Sequence, residues 1–240
     1  MHITDQENFM SSDYFEIKGL SMSPVSVRLN FIRKVYFILL AQVLSTTFFI
    51  LLSIYSESYR LFYASNSSLM VVAMLVSLVS YYVLIYTDQS RKVPNNYILL
   101  GVFTVSESYS ISYVGFAGKS AVLSACLITL VVTGALTYYA LTTTSDVTLQ
   151  GGALFVLCGA AAGLLLASLL FKSSILSLIL SAVVICLYGL FIIYDTQLIL
   201  GTKSNQYNID DYILAALMLY VDILGLFLEI LRLVQGSNEN

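Results

Sequence analysis

The stretch Asp211-Tyr-Ile-Leu-Ala-Ala-Leu-Met-Leu-Tyr-Val-Asp-Ile-Leu-Gly-Leu-Phe-Leu-Glu-Ile-Leu-Arg232 decides the fold. It is long enough to cross a bilayer, because a helix rising about 1.5 Å per residue spans the hydrocarbon core in roughly 20 residues. Yet it carries a carboxylate, Asp222, halfway along. The preceding apolar run carries another, Asp195, in Phe191-Ile-Ile-Tyr-Asp-Thr-Gln197. A charge at membrane depth is expensive unless it faces protein or water, so each aspartate marks a candidate functional site.

The rest of the chain agrees with a membrane setting. Apolar residues make up 58% of the 240 residues and charged residues 10%. An average soluble domain is roughly 25% charged. The apolar residues come in blocks, at about Val35–Ile54, Leu69–Tyr86, Tyr97–Phe116, Ala121–Leu141, Gly151–Phe171, Ile175–Leu200 and Tyr212–Val234. Each is too long, and too uniformly apolar, for a barrel strand. The expected fold is an all-α integral membrane protein, a bundle of seven transmembrane helices with the last one central. The two carboxylates of the last run, Asp222 and Glu229, leave an alternative of six helices plus a re-entrant seventh. Residues 1–30 form a polar tail, 31–234 the membrane domain and 235–240 a short polar C-terminal tail. Short connections make successive helices antiparallel neighbours.

Lys and Arg counts orient the bundle. The tail and loops 2–3, 4–5 and 6–7 hold Lys18, Arg28, Arg33, Lys34, Arg91, Lys92 and Lys203, whereas the other side holds Arg60, Lys119, Lys172 and Arg232. The N-terminus is therefore expected in the cytosol. Asn66-Ser-Ser68 is a glycosylation sequon, close to the membrane on the opposite side.

Several functions are disfavoured. Net charge is −3, with no basic run for nucleic acid. Cys126, Cys158 and Cys186 lie inside apolar runs and read as small buried hydrophobes, and the single histidine, His2, leaves a zinc site almost no ligands. Gly159 and Gly163 form a small-xxx-small pair, expected to pack tightly within the monomer.

Asp195 lies eight residues before Lys203 and Asp222 eleven after Asp211. Those offsets are about 12 and 16 Å of helix, so the carboxylates sit within about one turn of each other in depth. Two carboxylates in contact share a proton, and when ionised they offer hard oxygen to Ca²⁺. The pair is thus a candidate pH sensor and Ca²⁺ site, against the plainer reading of two satisfied structural groups. Glu107 is either a third oxygen on the path or a protonated partner of nearby hydroxyls. Arg91 and Lys92 are topology anchors, or a latch that neutralises Asp195. Asp210 and Asp211 start a helix, or attract cations at a pore mouth. Glu229 stands three residues before Arg232, the spacing of an i,i+3 ion pair.

Val27-Arg28, Phe31-Ile-Arg-Lys-Val-Tyr36, Gln42-Val-Leu44, Phe103-Thr104 with Glu107, Phe191–Thr196 and Asp211–Ala216 carry a resemblance. So do Leu219–Ile223, Leu226–Leu228 and Leu231-Arg232. Over most of its length the chain resembles the lifeguard, or transmembrane Bax-inhibitor-motif, family. The resemblance implies a multi-pass protein of Golgi or ER membranes that suppresses apoptosis and leaks Ca²⁺ or other cations from stores. It also implies a paired-aspartate pH sensor at Asp195 and Asp222, and a closed state latched by a basic residue near Arg91. Gly225 departs from the family's usual Asn, and Glu229 from an uncharged or different polar residue.

No cofactor is expected, Ca²⁺ being the permeant ion, and no catalytic residue is assigned. Expected partners are the lipid bilayer, a second copy, and other membrane proteins of apoptosis or Ca²⁺ release. An intramembrane aspartyl protease is disfavoured, because Asp222 lies in Tyr-Val-Asp-Ile-Leu-Gly rather than Gly-x-Gly-Asp. A seven-helix receptor is disfavoured by the short loops. A non-conducting adaptor that acts by partner binding stays open.

Overall fold

A computed structural model describes residues 20, 23–171, 174–204 and 207–238. Most of the expected N-terminal tail lies outside the described residues. Among the described residues eight α-helices follow one another: α1 (Val25–Tyr55), α2 (Glu57–Ser65), α3 (Ser67–Tyr86), α4 (Asn95–Ile111), α5 (Lys119–Thr142), α6 (Gly151–Phe171), α7 (Ser174–Leu200) and α8 (Tyr212–Asn238). Short 3₁₀ turns at Asp88–Arg91, Ser112–Ala117 and Val147–Gln150 join several of them.

The protein is an all-α membrane bundle. Among the described residues six helices are long and apolar enough to cross a bilayer: α1, α3, α5, α6, α7 and α8. The run at Tyr97–Phe116 divides differently. Its α-helix has 17 residues and ends at Ile111, and the remainder winds as the 3₁₀ turn. Serines at 106, 108, 110 and 112 explain this, since hydroxyls that bond nearby carbonyls compete with the helix. Ser110 bonds Ser106 O and Ser112 bonds Tyr109 O.

α8 is the central helix. It packs against α1, α4, α5 and α7. Of its most apolar window 56% is buried, against 6–28% for the other five spans. It also runs unbroken for 27 residues, about 40 Å, so it does not turn back on itself.

Two expectations are corrected here. Cys126 and Cys186 are exposed rather than buried, although all three thiols are free. Gly159 and Gly163 meet no neighbouring helix: an added Cβ at either finds nothing within 4 Å. Both corrections have one cause. A membrane protein's outer surface faces hydrocarbon, so apolar or small residues do not reveal which face is inside. Large exposed side chains such as Phe37, Leu44, Leu130, Val131 and Phe155 make up that lipid-facing belt.

α1 begins at Val25, and Leu20 is fully buried. Leu20 packs over Gly201, which ends α7 at φ +61° and has no Cβ to obstruct it.

Candidate functional site

Asp195 and Asp222 come from the two helices that pack most intimately at the centre, α7 and α8. Their carboxyl groups lie close enough to interact directly. Asp195 is 6% exposed and Asp222 is part-buried. Two ionised carboxylates so close repel in a low-dielectric setting, and one shared proton relieves that repulsion.

Tyrosines surround the pair. Tyr81 of α3, Tyr188 and Tyr194 of α7, and Tyr207 before α8 all lie within electrostatic reach of one aspartate or both. Their sequence signal is position. The chain has 18 tyrosines and no tryptophan, and tyrosine usually collects at the membrane interface. Tyr81 and Tyr188 instead sit well inside their helices.

Glu107 does not join the pair. It is part-buried in a cavity of about 660 Å³ between α3, α4 and α8, with Ser77, Tyr81, Phe103, Ser110 and Val221 around it. Beside it a polar seam crosses from α1 to α8. Gln42 Nε2 donates to Thr104 Oγ1 (3.3 Å), and Thr46 Oγ1 meets Ser108 Oγ (3.1 Å) and the Tyr220 hydroxyl (2.8 Å).

Arg91 meets Asp211 rather than Asp195. Arg91 Nε donates to Asp211 Oδ1 at 2.6 Å, and Asp211 Oδ2 accepts from Asn208 N–H at 2.9 Å. Asp211 is buried at the start of α8, and the carboxylate holds the Arg91 guanidinium above its ordinary pKa. Lys92 and Asp210 are exposed. Lys34 stands over the Tyr212 ring, 4.8 Å from its centroid. Asn66 joins α2 to α3, and its side-chain Nδ2 donates to Phe62 O at 2.8 Å. Glu229 Oε1 accepts from Arg232 at 3.4 Å, the i,i+3 pair its spacing predicts.

A clasp near Asp195 was not foreseen. Gln197 Oε1 accepts from Val147 N–H (2.9 Å) and its Nε2 donates to Ser145 O (3.0 Å). Lys203 Nζ donates to Thr143 O and Thr144 O, both at 3.1 Å. Asp146 accepts from Thr148 and from Ser204 N–H. The loop after α5 is thereby tied to the helix that carries Asp195. Among the described residues no three His, Cys, Asp or Glu side chains gather to hold a metal.

An apolar bundle with a carboxyl–carboxyl contact on its central helix defines a multi-pass membrane protein with an intramembrane acid pair. A family model described as inhibitor of apoptosis-promoting Bax1 matches residues 28–240, and the chain belongs to that family. It is 36% identical to mouse protein lifeguard 4 over 225 residues, 92% of this chain and 90% of that one. It is 33% identical to the Golgi anti-apoptotic protein of vaccinia virus (strain Lister) over 242 residues, 99% and 95% of the two chains. Arabidopsis protein LIFEGUARD 4 is 31% identical over 226 residues, 88% and 86%.

Proposed function

We propose that this protein is a pH-sensitive cation leak channel of Golgi or ER membranes, that it passes Ca²⁺ out of the store, and that it thereby inhibits apoptosis. The observation that carries the reading is the close juxtaposition of Asp195 and Asp222 on two spanning helices. The name of the vaccinia relative and the description of the family support the anti-apoptotic part.

The mechanism follows from the proton. With one proton shared, the carboxyls hold α7 against α8 and the path is closed. Loss of that proton leaves two negative charges in contact in a poorly solvated site, and their repulsion separates the helices. The same step creates the site a cation needs. Ca²⁺ takes six to eight oxygen ligands, and two carboxylates supply at most about four. Such a partial shell suits transit, because a pore must bind an ion weakly enough to release it. Glu107 and its cavity offer a further oxygen on the α3–α4 side. The Arg91–Asp211 pair acts as a second closure, at the start of α8. The N-terminus lies in the cytosol in this reading, and α4 with its 3₁₀ extension crosses along with the six longer helices, which puts Arg91, Asp211 and the loop clasp on the cytosolic face.

The test is Ca²⁺ influx into proteoliposomes of purified protein as pH is varied. Wild type should conduct with a steep pH dependence. Asp222→Asn, a permanent neutral partner, should flatten that dependence. Flux that keeps its pH dependence in both Asp222→Asn and Asp195→Asn refutes the gate. Anti-apoptotic activity that survives in flux-dead variants would instead make the protein a non-conducting adaptor.

A further inference from the structure

Beyond the aspartate pair, the interface of α7 and α8 continues in one column. Asp222, Gly225 and Glu229 fall at i, i+3 and i+7 on α8, which is one helix face. Tyr188 and Asp195 are likewise seven apart on α7. The two faces meet twice, once carboxyl to carboxyl and once where the Tyr188 ring lies directly on the backbone at Gly225. A Cβ added to Gly225 would overlap the ring and stand 2.6 Å from the phenol oxygen. Tyr188 is within electrostatic reach of Asp222 on one side and of Glu229 on the other.

Glu229 is not fully used by its ion pair. Arg232 engages only Oε1, at 3.4 Å, while Oε2 is buried with no hydrogen-bond partner. The side chain borders a cavity of about 580 Å³ that also holds Tyr113, Arg232 and Gln235. An unpartnered buried carboxylate oxygen is costly and calls for a reason. Here the reason is an acidic station about 10 Å of helix beyond Asp222, with a tyrosine between the two.

We infer that Tyr188 is the constriction of the path beyond the aspartate pair, that Gly225 seats it there, and that Glu229 receives the cation on the far side. This rests on the cation-leak reading above. The ring blocks the path by its bulk, while its hydroxyl supplies a neutral oxygen between two acidic stations. Gly225 has a positive role: any side chain there displaces the ring.

The two functions of Tyr188 separate by substitution. In Ca²⁺ influx into proteoliposomes, Tyr188→Ala removes the bulk and should raise flux about fivefold or more, since removal of an apolar constriction opens a pore. Tyr188→Phe keeps the bulk and loses the oxygen, and should lower flux below wild type. Glu229→Gln should also lower it. Gly225→Ala should raise flux by displacing the ring, and the double variant Gly225→Ala/Tyr188→Ala should equal Tyr188→Ala alone, because Gly225 acts only through that ring. Each variant's thermal midpoint and gel-filtration profile are recorded in detergent. If Tyr188→Ala does not fold, the opposed effects of Gly225→Ala and Tyr188→Phe, both near wild type in volume, decide the matter. A Gly225→Ala effect that persists without the ring, or flux unmoved by Tyr188→Phe and Glu229→Gln while Asp222→Asn alters it, overturns this inference alone. A wild type that passes no cation at any pH removes the parent reading and this one together.

Discussion

Gln197 is fully buried and uses both ends of its amide on one loop, accepting from Val147 N–H and donating to Ser145 O. Replacement by leucine keeps the volume and leaves both backbone groups unpaired. The Val147 N–H is buried and costs about 1–3 kcal/mol when abandoned, while the Ser145 carbonyl can turn to water, so Gln197→Leu should lower the thermal midpoint in detergent, whereas Thr142→Ala on the exposed helix end should not. The contrast between Gln197 and Asp195 shows what a sequence reveals at this scale. Asp195 stood out because charge at depth is rare in a chain with 10% charged residues. Gln197, two positions on, carries no charge, and an amide inside a membrane is ordinary once its bonds are made. Tyr188 was hidden for the same reason, and Gly225 was visible only as a departure from a family pattern, without its geometric meaning.

Among the elements, the loop after α5 depends on a carboxylate. Hydrogen bonds from Thr148, and next from Ser204, push the Asp146 pKa down from 3.8 to about 2. A carboxylate whose value is lowered by folding stabilises above its unfolded value and loses that contribution as pH falls through the folded one. The bonds accepted by Asp146 should therefore be intact above about pH 4 and be lost near pH 2, while those of Gln197 and Lys203 stay. Titration of the Ser204 and Thr148 amide resonances in micelles checks this: a midpoint near 4 would mean that the bonds are not made. The closure formed by the 3₁₀ turn before α4 and the start of α8 makes a second prediction. Arg91 is about half exposed, so loss of its bond to Asp211 should change stability by about 1 kcal/mol or less, while raising flux at the closed-state pH. Unchanged flux in both Arg91→Ala and Asp211→Asn would remove the latch. Element boundaries were less legible than element existence. The seven apolar runs all became helices, but α2 went unnoticed in what reads as a loop. Its start has a signal, Ser56 capping Tyr59 N–H with Glu57 in the first turn, and amphipathic helices at membrane interfaces lack the long apolar run that marks a span.

At the scale of the whole molecule, apolar blocks made the bundle readable, while the same apolarity concealed its inside and outside. The central position of α8 was legible because its carboxylate had to face protein, and burial of that helix agrees. The pairing of Asp195 with Asp222 ties the centre of the bundle to any activity it has, and this permits a decisive cellular experiment. Asp222→Asn replaces a carboxyl by a near-isosteric amide, so the fold and the lipid-facing surface should persist while the proposed gate loses one of its titratable groups. In cells given an intrinsic apoptotic stimulus, the variant should accumulate in the same membranes as wild type. If ion flux is the route to survival, protection and the fall in releasable store Ca²⁺ should both change with Asp222→Asn, and in the same direction. Arg91→Ala, which breaks the pair with Asp211 without touching the aspartate pair, should, on the proposed latch, move the two readouts together again, with store Ca²⁺ lower than in wild type. Protection that stays at the wild-type level while store Ca²⁺ shifts in both variants would separate survival from conduction. It would assign the anti-apoptotic effect to surfaces of the bundle outside the α7–α8 interface.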